Sequence, residues 1–169
     1  MPNTLSRYQA LVDSGEISFD AAQAAVARRL SALNDRLADY RLARRKSSAL
    51  AWLFSRGQKQ EPVRGLYIWG DVGRGKTMLM DLFMEASPVR RKRRAHFHEF
   101  MADVHERIHI YRQKLKAGEV KGDDPIGPVA ADLAEEAWLL CFDEFSVTDI
   151  ADAMILGRLF GKLFEEGVV

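Results

Sequence analysis

The sequence predicts an α/β fold with helical layers on a mainly parallel sheet, preceded by N-terminal helices. Three observations lead there. From about residue 63 onward, short apolar runs alternate with amphipathic helical patterns. The runs are almost continuously apolar, as parallel strands covered on both faces are. The first run passes through a glycine-rich loop straight into a helix, the join of a strand–loop–helix unit.

Residues 1–55 read as mostly helical. Asp20 with Gln23 resembles a helix start with a capping pair. Val26, Leu30, Leu33, Leu37 and Tyr40 then recur on one helical face. A second short helix is expected around Trp52, Leu53 and Phe54, and the polar stretch 55–64, with Gly57 and Pro62, reads as a linker. Residues 65–69 read as the first buried strand, and 76–86 as the helix after it. A second strand is expected at 95–98. A helix at 100–117 follows, with Met101, Val104, Ile108, Tyr111 and Leu115 on one face. After a turn-rich loop, Pro128 suits the first turn of a helix to about 137. Residues 138–142 read as a third strand. The last helix spans 149–166, with Ile150, Ala153, Met154, Gly157 and Phe164 on one face and Gly167 as its stop. Val168 and Val169 read as the start of a fourth strand, so the chain reads as an N-terminal fragment whose C-terminal part is missing. Two segments result: residues 1–62, helical with a linker, and residues 63–169, an incomplete α/β core.

Composition narrows the class. The 169 residues suffice for one domain with a sizeable core. With 25 basic and 24 acidic residues, no bulk attraction to nucleic acid or anionic membrane is expected. The one cysteine, Cys141, cannot form an internal disulfide, which points to a reducing compartment. No apolar run approaches the roughly 18 residues of a transmembrane helix. The N-terminus has no signal-like apolar core, and Asp13, Glu16 and Asp20 argue against a transit peptide. The cytoplasm is the expected location.

Gly70-Asp71-Val72-Gly73-Arg74-Gly75-Lys76-Thr77 matches G-x-x-x-x-G-K-[ST] at every defined position. Glycines let the backbone curl so that successive N–H groups face phosphate oxygens. The helix opening at Lys76 adds the partial positive charge of its N-terminus. Lys76 would reach the β- and γ-phosphates, and the Thr77 hydroxyl would bind Mg²⁺. The second acidic half of such a site is Asp143-Glu144, which follows the apolar run Trp138-Leu139-Leu140-Cys141-Phe142. Asp143 would hold Mg²⁺ through water, because Mg²⁺ dehydrates reluctantly. Glu144 would orient and deprotonate the attacking water. The intervening strand is expected to separate the P-loop strand from the Asp-Glu strand. No N-K-x-D sequence for guanine is present, and nucleotide kinases need no adjacent glutamate, so hydrolysis of ATP is the predicted reaction. His98 has two readings: a polar switch near the γ-phosphate, or a packed or solvated histidine.

Two further motifs compete for a role. His105-Glu106-Arg107-Ile108-His109 spells H-E-x-x-H on a predicted helix, the spacing of a zinc site. The zinc reading is rejected because no histidine follows His109 and no clear third ligand is available. Arg90-Arg91-Lys92-Arg93-Arg94 is a run of five basic residues. It reads either as a patch for an anionic partner or, preferred here, as a solvated connection that pairs partly with nearby carboxylates.

Longer stretches carry a family resemblance. Gly65-Leu66-Tyr67 leads into the P-loop, and Met78-Leu79-Met80-Asp81-Leu82-Phe83 continues it. His96-Phe97-His98-Glu99-Phe100-Met101 and the run from Leu140 through Asp143-Glu144-Phe145-Ser146-Val147-Thr148-Asp149 to Leu156 add to it, as does Tyr8-Gln9-Ala10-Leu11-Val12. In these the chain resembles the ZapE cell-division ATPases of bacteria and their mitochondrial ATPase-family-gene-one-like relatives. The resemblance implies a three-layer P-loop NTPase fold of the AAA+ type, with the N-terminal helices near the nucleotide. It also implies mechanical or remodelling work on a protein partner, in bacteria at the division septum, and in mitochondria a link to membrane-protein turnover. The family's histidine pair matches His105 and His109 and needs no zinc. Family members continue past Val169, where a polar sensor, a trans-acting arginine finger and a helical lid are expected. Self-association of the full-length protein and peripheral contact at the inner membrane or division site follow from the same likeness, while nucleic acid is not an expected partner. The reading is therefore an ATPase using ATP and Mg²⁺. The alternative is a nucleotide-dependent binding or scaffold module with little turnover.

Overall fold

The computed structural model describes residues 3–54 and 63–169, with side chains left aside at 41–54. The chain is α/β with a small parallel sheet, and it divides into two compact units, Met1–Arg90 and Arg91–Val169.

The first unit holds α1 (Thr4–Asp13), α2 (Ala21–Phe54) and α3 (Lys76–Ala86). Asn3 starts α1 by accepting the Ser6 N–H at 2.9 Å. Asp20 starts α2, its Oδ1 accepting from the Ala22 and Gln23 N–H groups at 2.7 and 3.1 Å. These bonds, Gln23 first, hold the Asp20 carboxyl below its usual range. The Gln23 side chain does not return to the Asp20 N–H, which donates instead to the Tyr8 hydroxyl at 3.0 Å. The expected capping pair is therefore half right. The buried stripe of α2 runs through Ala24, Ala27, Leu30, Leu33 and Leu37, with Val26 and Tyr40 at its margins. Alanines at its start let α1 approach closely. Asn34 joins all three helices, donating to Thr4 Oγ1 and to the Phe83 carbonyl, each at 3.4 Å. The expected short helix at 52–54 is the end of α2, and most of the expected linker lies outside the described residues.

Residues 65–69 form no strand. A parallel strand exists only with neighbours to bond, and among its described residues the first unit contains no other strand. Tyr67 and Trp69 are 72% and 82% exposed, so the apolar run is uncovered rather than buried.

The second unit contains β1 (Lys92–His96), α4 (Phe97–Lys116), α5 (Ile126–Glu136), β2 (Leu139–Asp143) and α6 (Ile150–Glu165). β1 and β2 pair in parallel, Lys92 opposite Leu139 and His96 opposite Asp143. On one face Ala95, Leu140 and Phe142 lie on a core of α4, α5 and α6 that includes Phe100, Val104, Val129, Leu133, Leu159 and Leu163. By alternation Lys92, Arg94, His96, Cys141 and Asp143 share the other face. The second strand thus begins three residues earlier than expected and takes in most of the basic run. His98 lies not on it but in the first turn of α4. Arg93 pairs with Asp103 at 2.7 Å and lies over the Phe100 ring. Arg107 bridges Asp103 and Glu136, each at 2.7 Å. Burial pushes the Asp103 carboxyl up, but the bonds from Arg107 and Arg93 outweigh it and leave it below its usual range.

In α6 the buried face is Leu156, Leu159 and Leu163, not the expected one. Ile150, Met154 and Phe164 are 81%, 70% and 59% exposed. The helix is apolar nearly all round, so periodicity alone does not select a face, and the packing against α5 does. Gly167 (φ +80°) ends α6, with the Val168 N–H reaching the Leu163 carbonyl at 2.9 Å. Val169 then bonds Trp138 O and Leu140 N at 2.9 and 2.8 Å, on the edge of β2 away from β1. That is the bonding of a parallel neighbour, although no strand is assigned there.

Candidate functional site

The expected site residues divide between the two units. In the first unit, the loop from Gly70 enters α3 through Gly75, whose φ of +78° is left-handed. Gly73 is left-handed as well, at +77°. The two glycines are required for different reasons. A Cβ on Gly73 would meet nothing within 4 Å, so only its conformation demands glycine. A Cβ on Gly75 would also lie 2.8 Å from Gln23 Nε2, so its position is crowded too.

Lys76 turns back over the loop, its ammonium donating to the Gly70 and Asp71 carbonyls at 2.9 and 2.7 Å. Thr77 is exposed in the first turn of α3. The loop is tied to the start of α2 by two contacts. Arg74 pairs with Asp20 Oδ2 at 3.2 Å, and Gln23 Nε2 donates to the Arg74 carbonyl at 3.1 Å. Between the loop and residues 17–23 lies a cleft of about 460 Å³ whose walls include Ile17, Phe19, Gln23, Gly73, Gly75 and Met78. Backbone N–H groups at a helix N-terminus, a curled glycine backbone and an ammonium are the donor set for an anion.

In the second unit, Asp143 ends β2 on the polar face of the sheet. Arg94 covers it, with Nε and Nη2 both on Oδ2, at 3.1 and 2.5 Å. Cys141 shares that face, and burial pushes its thiol up to about 12. Glu144 follows in a left-handed turn with φ +53°, the one non-glycine residue with positive φ among those described. Such a conformation costs about 1 kcal/mol for a residue with a Cβ. Phe145 fixes the turn: its ring lies 4.5 Å from that of Phe97 and near Phe142 and Phe160. Phe142 and Phe145, the latter still 37% exposed, thus turn toward the aromatic cluster, and Glu144 between them is exposed. An exposed carboxylate held in a strained turn beside a second carboxylate can orient and deprotonate a water.

His98 is exposed and stacks on His96 at 5.8 Å between ring centroids, which matches the solvated reading. In H-E-x-x-H the two histidines take separate partners. His105 Nε2 meets Asp152 Oδ1 at 2.7 Å, and His109 Nε2 meets Gln113 at 2.9 Å. No group of three or more His, Cys, Asp or Glu able to hold a metal occurs among the described residues.

Asp20, Gln23, Phe19 and Arg94 were not marked as site residues by sequence reasoning. Gln23 and Arg74 are 51 positions apart, and Arg94 and Asp143 are 49 apart, so no spacing rule joins them. The one usable signal was the helix-cap pattern at Asp20.

Comparisons with known proteins point to one family. The model of the AFG1-like ATPase family matches residues 3–169. Lactation elevated protein 1 homolog B of Danio rerio is 57% identical over 114 residues, 66% of this chain and 23% of that protein. Cell division protein ZapE of Escherichia coli K12 is 49% identical over 110 residues, 65% of this chain and 27% of that protein. An uncharacterised protein of Schizosaccharomyces pombe is 42% identical over 143 residues, 73% of this chain and 30% of its own length. The chain therefore spans less than a third of the curated relatives it matches. No solved structure matches.

Proposed function

The chain belongs to the AFG1-like ATPase family, and from that premise we propose that the protein carrying it binds ATP with Mg²⁺ and hydrolyses it. The observation that carries the reading is the Gly70–Thr77 loop, with left-handed Gly73 and Gly75 opening α3 and the Lys76 ammonium folded onto the loop. The backbone from Gly70 to Gly75, including Asp71, Val72 and Arg74, would receive the phosphates, and Lys76 would leave its two carbonyls for the β- and γ-phosphates. Ile17, Phe19 and Met78 give the adjoining cleft apolar walls suited to a nucleoside.

Thr77 and Asp143 offer hydroxyl and carboxylate oxygens, the hard donors that suit Mg²⁺. When bound, the ion supplies charge neutralisation at the phosphates. Glu144 is the general base in this reading, positioned by the Phe145 anchor. A three-layer AAA+-type core is the architecture it requires.

The name of the Escherichia coli relative, a cell division protein, supports a role in cell division. Remodelling of a protein partner and self-association of the full-length protein are further parts of this proposal. Among the described residues no helix is long and apolar enough to cross a membrane. A cytoplasmic location, with peripheral contact at the inner membrane or division site, is part of the same proposal.

The test is Glu144→Gln in the full-length protein. ATP binding should persist while turnover falls by about 100-fold or more. Undiminished turnover would remove Glu144 from the chemistry. Binding without turnover in the unaltered protein would favour a nucleotide-dependent scaffold instead.

A further inference from the structure

We infer that Gln23, at the start of α2, is a positioning residue that aims the phosphate-binding loop. The inference rests on the ATP-binding reading above and adds a residue outside the loop motif.

The argument begins with a peptide plane. In a trans peptide the C=O and the following N–H point to opposite sides. Gln23 Nε2 donates to the Arg74 carbonyl at 3.1 Å. The N–H in that same plane belongs to Gly75, so a pull on the carbonyl from the α2 side turns the Gly75 N–H the other way. The Gly75 N–H is one of the loop donors that a phosphate would meet at the N-terminus of α3.

The hold on Gln23 is itself braced. Tyr8 is fully buried, and its hydroxyl donates to the Asp20 carbonyl at 3.1 Å while accepting the Asp20 N–H at 3.0 Å. The Asp20 carboxylate then caps the Gln23 N–H with one oxygen and takes Arg74 with the other. Gln23 therefore leaves a fixed helix start and grips the loop at the residue whose side chain is gripped by the cap. The fit is tight, since a Cβ on Gly75 would meet Gln23 Nε2. Glycine at this position thus serves the left-handed turn and also leaves room for the Gln23 amide.

The phosphates, more than the nucleoside, should feel the loss of this grip. Gln23→Met keeps the side-chain length and removes the donor. Gln23→Glu sets a carboxylate against the carbonyl. In the full-length protein we expect Gln23→Met to raise the Kd for ATP and ADP about 2- to 10-fold, the range for one net hydrogen bond. Gln23→Glu should raise it further. Adenosine affinity should fall clearly less than ATP affinity. The Gly75 amide resonance should shift in both variants before any nucleotide is added.

Equal weakening of adenosine and ATP would overturn the inference and leave Gln23 acting only through the cleft it lines. A lowered thermal midpoint with unchanged ATP affinity would overturn it as well and leave Gln23 a helix-start residue only. If the unaltered protein binds ATP and both variants match it, the Gln23 inference fails alone. If the unaltered protein binds no ATP, the ATP-binding reading fails.

Discussion

Lys76 in the first unit and Asp143 in the second each rest on a partner supplied by the chain itself. The Lys76 ammonium sits on two backbone carbonyls, whereas Asp143 sits under the Arg94 guanidinium. Carbonyl oxygens are neutral dipoles, and a phosphate easily outcompetes them for an ammonium. A guanidinium is a full charge with a fixed fork, so a cation arriving at Asp143 must displace a rival of its own sign. The backbones differ in the same sense. The loop meets its left-handed turns with glycine at Gly73 and Gly75, at no steric cost. The acidic end of β2 places Glu144 in such a turn and carries the strain. The first site is conformationally relaxed and ready for an anion, and the second is charge-paired and strained. Glu144 thus keeps a carboxylate in a backbone conformation that glycine would adopt at no steric cost.

The largest effect should follow from removing the charge that has only dipoles to hold it. Lys76→Met should raise the Kd for ATP about 10- to 100-fold, the range for a charge-assisted bond to phosphate, with the fold intact. A smaller change would mean that the backbone donors carry the loop's affinity. Arg94→Gln tests the other side. Freed of its rival, Asp143 should accept Mg²⁺ more readily. The Mg²⁺ concentration giving half-maximal turnover should fall about 2- to 5-fold, as expected for a partly exposed ion pair. A rise instead would make Arg94 a support that holds Asp143 in place. The smallest energetic effect is that of Glu144→Gly on stability to denaturant, which should rise by about 0.5–1 kcal/mol as the left-handed turn is relieved. Destabilisation would show that the Glu144 side chain has a structural role.

Much of this was legible locally. The loop motif is a local pattern, and α3 begins and ends where its residues predict. Asp149 caps α6 through the N–H groups of Ala151 and Asp152, and Met101, Val104 and Ile108 face the core as their spacing predicts. The failures share one cause. Residues 65–69 have the composition of a buried strand but join no strand ladder among the described residues. β1 starts early because its register is set by β2, and a run of arginines can be a strand when Asp103, Glu136 and Asp143 wait beside it. Apolar residues nearly encircle α6, so its spacing does not single out the Leu156–Leu159–Leu163 face that is buried.

By itself the sequence determined whatever depends on neighbours within one turn of chain: the glycine-built loop, the helix starts and stops, and the acidic pair following an apolar run. Backbone sterics and capping act over three or four residues, so residue types in order suffice. Only the tertiary structure decided which strand pairs with which, which face of α6 is buried, that Gln23 grips Arg74 and that Arg94 covers Asp143. The strand pairing and the two side-chain contacts join residues about fifty positions apart, and α6 packs on a helix that precedes it by a loop and a strand. Their energy comes from packing and charge pairing, which exist only once the chain has brought the partners together.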